Sequence, residues 1–329
     1  MSITVIKPGI LDSVQDGGRS GYQYLGVNRG GVMDSYSAEI VNMLVGNDSS
    51  EAVIEMHFPA AAYLFRQEAI IAVGGADFVP SINGEEIPLW HPVMISRNSI
   101  LQFQNIKKGA QCYLAAKGGF AIPKWLDSYS THLKAGAGGV HGRTLQKDDI
   151  IQLKKPECCT KFLNEKDFIV LPWQADTKWN PFPSEKISVV LGHEWHWLNA
   201  ESQKNFLNNP FTVTVSSDRM GYRLQGTPLS ADVTTELISS AVSFGTIQLL
   251  PDGQLIVLMA DHQTAGGYPR IAHVISAQLS QLAQVRPGEK IQFSFKDIAD
   301  AEYLFLQQKH HLLQLQNACR LRLDEFLKS

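Results

Sequence analysis

The chain has few of the features that would assign it at a glance. Among 329 residues there are four cysteines, Cys112, Cys158, Cys159 and Cys319, with no Cys-x-x-Cys spacing. Neighbouring cysteines do not readily bridge to each other, and no zinc ligand set can be drawn from the four. They read as reduced thiols in a cytoplasmic protein, and no metal is expected. Charged residues make up 19% and the net charge is −3, without runs of one sign, so the footprint of a nucleic-acid binder is missing. No apolar stretch approaches the ~20 residues needed to span a membrane. The opening residues, Met1-Ser-Ile-Thr-Val-Ile-Lys-Pro-Gly9, lack a basic segment followed by a long apolar one, so secretion is not expected. The glycines match neither a P-loop nor Gly-x-Gly-x-x-Gly, which removes the usual signals of nucleotide binding.

What the chain does have is material for a core and many short strands. Hydrophobic residues make up 44%, and the length suits about two domains. Residues 3–6 read as a strand closed by Pro8-Gly9. From Ala52 to Leu153 strand follows strand: Ala69–Val73, Ile100–Phe103, Gln111–Ala116 and a closing segment at 145–153. Asn83-Gly84 is a hairpin signal, because both residues tolerate the positive φ that such turns need. Asp34 is a suitable N-cap for a helix from Ser35 to about Val45, with Gly46 just past its end. Gly30 and Gly31 leave that helix start open to an anionic group. Asp16 and Arg19 lie in a loop with three nearby glycines, either at a pocket edge or in a salt-bridged turn.

The most informative stretch is Leu258-Met-Ala-Asp-His-Gln-Thr-Ala-Gly-Gly-Tyr-Pro-Arg270. Gln248 to Leu258 before it reads as strand, turn, strand, with Pro251-Asp-Gly253 as the turn. The second strand delivers Asp261, His262, Gln263 and Thr264 into a loop where Gly266 and Gly267 let a ligand approach the backbone. Arg219 and Arg223 flank Gly221 and suit carboxylate or phosphate recognition, or exposed salt bridges. His193-Glu-Trp-His196 fails as a zinc motif, because its histidines are spaced i, i+3 after a strand end where the metalloprotease helix needs i, i+4.

Lys154–Glu165 is polar and is the expected boundary between halves at 1–155 and 166–329. The halves echo each other: Gln111–Phe120 with Gln254–Tyr268, and Leu145–Leu153 with Val285–Phe293. Both pairs occur in the same order, so a duplicated β-barrel unit is expected. Residues 273–285 have helical spacing. The tail from Asp297 to Phe326 reads as a long helix with a stripe at Ile298, Ala301, Phe305, Leu312, Leu315, Cys319, Leu323 and Phe326, for core packing or a partner.

Several stretches together resemble one family, the biotin-dependent carboxyltransferase or allophanate hydrolase subunit 2-like proteins. They are Val14-Gln-Asp-Gly-Gly-Arg19, Gly31-Val-Met-Asp34, Val45-Gly-Asn47, Gly74-Gly-Ala-Asp77, Tyr113 to Gly119, Ser217-Asp-Arg-Met-Gly221 and Ala260 to Pro269. The resemblance spans essentially the whole chain. It implies a mainly β fold of two cyclophilin-like β-barrel domains, with a few short helices and the long C-terminal one. The family includes the C subunit of bacterial 5-oxoprolinase, which works with two other subunits, allophanate hydrolase subunit 1-like and LamB-like, to hydrolyse 5-oxoproline to glutamate with ATP. It also includes the carboxyltransferase domain of urea carboxylase, and relatives that bind and neutralise an inhibitor of a sporulation kinase. The 5-oxoprolinase role is the first expectation, a carboxyltransferase acting on urea or another amide the second, and a non-catalytic binding protein the third. The chain has no Met-Lys-Met-type biotinylation motif, so biotin or carboxybiotin would be supplied by a partner, and ATP would be used by partner subunits.

Carboxyl transfer needs a held carboxylate, stabilisation of charge on the ureido oxygen, and a proton acceptor for the attacking nitrogen. Asp261 is the expected acid/base, with Gln263 and Thr264 orienting it or the acceptor. Substrate contacts are expected from Asp16, Arg19, Asp34, Arg219, Gly266, Gly267 and Tyr268. The family usually has serine where Gly30 stands, arginine where Tyr129 stands, and often Thr-Thr where this chain has Thr264-Ala265. These departures bear on which amide or lactam is accepted.

Overall fold

The computed structural model of the chain describes residues 2–154, 160–163, 165–177, 186–233 and 237–328. It is mainly β, with short helices and a long C-terminal one, Ile298–Lys328. Two compact units are present. The first takes Met1–Arg19, Asp34–Trp179 and His310–Ser329; the second takes Ser20–Met33 and Asn180–Lys309.

In the first unit two antiparallel sheets share one core. One runs in the order Ile150–Gln152, Ser2–Lys7, Ala62–Phe65, Ile100–Phe103, Pro80–Ile82 and Glu85–Glu86. The other runs Phe168–Val170, Pro92–Ile95, Ala69–Asp77, Lys108–Ala116, Val53–His57 and Ser13–Gln15. Ile3, Val5, Phe65 and Leu101 from the first sheet meet Ile54, Ile71, Val73 and Leu114 from the second in a continuous buried cluster. The Asn83-Gly84 signal is met: both residues have positive φ, 51° and 91°, and join Pro80–Ile82 to Glu85–Glu86. The motif stretches also meet, since Asn47 donates to the Ala116 carbonyl and accepts from the Gly118 N–H, at 2.9 and 2.7 Å.

The helix Ser35–Leu44 starts as its sequence requires. The Asp34 carboxylate accepts from the Ser37 N–H at 2.9 Å and from the Ser37 hydroxyl at 2.6 Å. The Asp34 N–H in turn donates to the Tyr113 hydroxyl at 2.8 Å, and that hydroxyl donates to Glu55 at 2.8 Å. Asp34→Ala is expected to destabilise the chain by about 1–2 kcal/mol, the usual effect of losing an N-cap side chain. A urea titration of both proteins checks this, and coincident midpoints would show that the cap contributes nothing.

The second unit is an eight-stranded sheet in the order Lys290–Ile291, Phe211–Val213, Gly221–Gln225, Leu255–Leu258, Thr246–Leu249, Arg270–Val274, Ile187–Leu191 and Phe293–Phe295. Its first and last strands are separated in sequence by Gln292 alone, so the sheet curls round until its two edges nearly meet. Such closure removes the exposed strand edges that open sheets must otherwise protect. Phe206, Phe211 and Phe293 pack inside it with Leu224, Ile247 and Val257.

Three expectations are corrected in detail. The units are not the contiguous halves 1–155 and 166–329. Phe168–Val170 pairs with Pro92–Ile95 in the first unit, and Ser20–Met33 joins the second, where Met33 is part of the core. Residues 273–285 divide into the end of a strand, a 3₁₀ turn at Ser276–Gln278 and a short helix, Leu279–Ala283. On the long helix the buried stripe is Leu304, Gln308, Leu312, Leu315, Cys319 and Leu323, whereas Ile298 is 74% exposed. Cys112 and Cys319 are buried free thiols, and Cys158 and Cys159 lie outside the described residues.

Candidate functional site

Strand period and register build the site in the second unit. Alternation points Tyr222 and Leu224, Leu255 and Val257, and Ile247 and Leu249 into the core. The residues between them face the other way and pair across the sheet: Arg223 with Ile256, Ile256 with Gln248, and Gln248 with Arg270. An outward-facing row thus crosses four strands. Over it lies the loop 261–268, pinned by a two-stranded ribbon in which Ala265 pairs with Ala241 and Gly266 with Ser240. The Val242 N–H adds a bond to the Thr264 carbonyl at 3.3 Å.

Between row and loop is a cavity of about 630 Å³, lined by Arg223, Gln248, Ile256, Gln263 and Tyr268, with Asp218 and Asp252 among the others. That is the size of a small-molecule site, and seven of its twelve lining residues are polar or charged. Asp218 is committed to its own turn, accepting from the Met220 and Gly221 N–H groups at 2.8 and 3.2 Å. Asp252 accepts from the Gln254 N–H at 3.0 Å. Arg270, at the far end of the row, is clamped by Glu194 through three bonds of 2.7–3.0 Å. Although burial pushes the other way, those bonds hold the Glu194 carboxyl below its usual range. Glu194 of the His193–His196 stretch therefore serves a salt bridge to the strand.

At one end of the loop the Arg219 guanidinium grips both Asp261 oxygens, at 2.8 and 3.1 Å, and donates to the Gly31 carbonyl at 2.5 Å. Arg219 is buried and the Asp261 side chain is 16% exposed, so the pair is largely shielded from water. The Asp261 N–H bonds the Arg219 carbonyl at 2.7 Å, and Asn28 donates to the Asp261 carbonyl at 2.9 Å. Gly31 and Asn28 both come from the segment Ser20–Met33.

His262, next in the chain, is buried. Its Nδ1 lies 2.5 Å from the Gln263 carbonyl, which can only accept, so Nδ1 carries the proton. Burial is the main cause that lowers its pKa, and the nearby Arg29 charge acts in the same direction. A neutral ring with its proton fixed on Nδ1 presents Nε2 as an acceptor, the form a general base requires.

The structure divides the expected site residues between the two units. Arg219, Asp261, Gln263, Thr264, Gly266, Gly267 and Tyr268 lie in the second. Asp16, Arg19 and Asp34 lie in the first, and each is held by its own surroundings. The Asp16 carboxylate accepts from the Ser128 and Ser130 hydroxyls and the Tyr129 N–H, each at 2.6 Å, and from the Gly18 N–H at 2.8 Å. Arg19 donates to the Ser130 carbonyl and stacks 4.6 Å from the Trp125 ring. These bonds staple the first loop to residues 125–131, more than 100 positions away. Asp34 is the helix cap already described. Tyr129 accepts from Lys154 at 2.9 Å, and Lys154 is also bound to Glu51.

Two residues of the site were assigned no role from sequence. His262 was visible in the motif, but its fixed tautomer depends on the loop conformation. Gln248 carries a weaker signal, a polar residue alternating with Ile247 and Leu249, and its significance depends on which strands flank it.

The chain is similar to known proteins along most of its length. Residues 25–295 match the family model described as carboxyltransferase domain, subdomain A and B. The C subunit of 5-oxoprolinase from Haemophilus influenzae is 34% identical over 304 residues, covering 92% of this chain and 94% of that protein. Its Escherichia coli counterpart is 31% identical, covering 95% and 97%. The crystal structure of Kluyveromyces lactis urea amidolyase is similar with a TM-score of 0.86 at 30% identity, over 95% of this chain and 20% of that one. Matched over residues 25–295 and similar to these relatives along nearly its whole length, the chain belongs to the carboxyltransferase domain, subdomain A and B, family.

Proposed function

We infer that this chain is the carboxyltransferase-like subunit of an ATP-dependent 5-oxoprolinase, an enzyme that opens the lactam of 5-oxoproline to glutamate. The observation that carries the reading is the cavity over the strand row, where two carboxamides, Gln248 and Gln263, sit in the same loop-and-strand region as the Arg219–Asp261 pair. Those groups suit an amide or lactam. The near end-to-end likeness to two 5-oxoprolinase C subunits supports the same choice. Asp261 and His262 are the proton-transfer candidates, with Gln263 and Thr264 orienting the substrate and Arg219 holding Asp261 in place. Gly266, Gly267 and Tyr268 form the loop that closes over the cavity. Asp16, Arg19 and Asp34 hold loops of the first unit in shape. ATP would be used by two partner subunits, allophanate hydrolase subunit 1-like and LamB-like, in a cytoplasmic complex.

A second reading has its own support, since urea amidolyase is the structural likeness with a TM-score of 0.86. In that reading the chain transfers a carboxyl group to urea or another amide, and biotin on a partner is the carboxyl carrier. The same two carboxamides fit a ureido ring. One experiment decides between them: assay the chain, purified with its native partners, for ATP-dependent glutamate release from 5-oxoproline. Turnover that vanishes when this chain is left out supports the first reading. An intact complex without turnover overturns it, and urea-dependent decarboxylation of the carboxylated carrier is then the activity to measure.

A further inference from the structure

The cavity contains a recognition element that the family match does not assign. The Gln248 side chain is fully buried, and its Oε1 has no hydrogen-bond partner. Its Nε2 makes one long contact of 3.4 Å to the Tyr268 carbonyl. A buried amide oxygen left without a donor is costly, and native proteins keep such groups where a ligand or water satisfies them. The Gln263 carboxamide comes to the same place. Both converge on Gly266, where a Cβ would lie 2.7 Å from Gln248 Nε2 and 3.4 Å from Gln263 Nε2. The φ of Gly266 is one that other residues adopt, so the glycine is explained by the two amides and not by backbone strain.

We propose that Gln248 and Gln263 form a carboxamide pair that reads a cyclic cis-amide, with Gln248 Oε1 accepting the ligand N–H and the Gln263 amide donating to its C=O. A cis-amide edge presents its N–H and C=O side by side, as a lactam or a cyclic urea does, whereas a trans peptide points them in opposite directions. Ile256 in the cavity wall would lie against the apolar ring carbons. Arg223, in the same wall, would take a carboxylate on the ligand, since Arg270, which pairs directly with Gln248, is already held by Glu194. This assignment rests on the proposed function for its substrate class, and it makes Gln248 a specificity-determining residue. A site that hydrogen-bonds a ligand N–H rejects the analogue lacking it far more strongly than apolar contacts can.

The test is direct binding to the purified full chain, followed by ligand-observed NMR and calorimetry. The probes are 5-oxoproline, its N-methyl derivative and biotin methyl ester, each with wild type, Gln248→Met and Gly266→Ala. Methionine keeps the volume of glutamine and removes the acceptor; the alanine methyl displaces the Gln248 amide. Thermal melts confirm that both variants are folded. The expected result is that 5-oxoproline or the biotin ester binds wild type and loses at least tenfold in affinity with Gln248→Met and with Gly266→Ala. N-methylation is expected to cost 5-oxoproline a similar factor. Preference between the lactam and the cyclic urea then names the source of the cis-amide. Binding of neither probe, an unchanged affinity on N-methylation, or wild-type affinity in folded Gln248→Met would each overturn the assignment. Turnover of the assembled complex is measured alongside. Full turnover with Gln248→Met sinks the carboxamide reading and leaves the proposed function standing. Tight cis-amide binding in a complex that releases no glutamate does the reverse.

Discussion

Asp261→Asn in the assembled complex is expected to lower turnover by at least ~100-fold, the usual contribution of a proton-transfer group, and to cost ~3 kcal/mol of stability, because the buried Arg219 guanidinium loses its counter-charge. That this is the low end for a broken pair of this kind follows from the geometry. Asparagine keeps one oxygen for the Arg219 guanidinium, and the backbone bonds of residue 261 to Arg219 and Asn28 are untouched. Arg219→Met is the contrasting change. It leaves the Asp261 carboxylate in a shielded site without its counter-charge and also leaves the Gly31 carbonyl without its donor. Removing one partner of such a pair is expected to destabilise by ~3–5 kcal/mol. Urea unfolding and steady-state assays on the same preparations check both claims. Turnover of Asp261→Asn within a few-fold of wild type would reduce Asp261 to an anchor for Arg219. In that case His262→Gln becomes the variant in which proton transfer should fail.

The second large effect is a dependence of stability on pH that is centred far from the site. Asp12 is completely buried in the first unit, and burial raises its pKa from 3.8 to about 7. Bonds from the Ala61 N–H at 2.7 Å and the Tyr63 hydroxyl at 2.9 Å, and one from the His57 backbone, only partly offset the loss of water. The folded chain therefore keeps a proton on Asp12 over a range in which the unfolded chain has released it. By linkage, stability falls as pH rises from about 4 to about 7 and levels off above that. The full span is on the order of 4 kcal/mol, at 1.36 kcal/mol for each unit of pKa difference. Asp12→Asn, whose amide oxygen can still accept from Ala61 and Tyr63, is expected to remove this slope. Urea midpoints measured between pH 4 and 8 test it directly. Parallel profiles for the two proteins would mean that Asp12 ionises in the folded chain as readily as in the unfolded one.

Much of the local structure was legible in advance, for reasons that are themselves local. The Asp34 cap, the Asn83-Gly84 turn, the Pro251–Gly253 turn and the long helix each depend on residues within four positions of one another. Chemical type and spacing are enough to specify such features. The helix also shows where that reasoning fails. Its hydrophobic residues occupy more than one face, so the pattern alone chose Ile298 and Phe305, and packing chose Leu304 and Gln308. Gln308 is buried because its amide donates to the Ala277 carbonyl at 3.0 Å, a contact that no periodicity describes.

The candidate site was legible as a list and illegible as an arrangement. By itself the sequence determined the β-rich class, the family motifs and the loop that bears Asp261 to Tyr268. Only the tertiary structure decided that Gln248 lies beside Ile256 and Arg270, that Asn28 and Gly31 reach across some 190 to 230 positions to the Arg219–Asp261 pair, and that Asp16 closes on Ser128 and Ser130. Register and long-range pairing are set by the summed burial of whole sheet faces. A shift of one residue would turn every side chain of a strand to the opposite face, so each pairing is fixed by all the others at once and is written in no single stretch of chain.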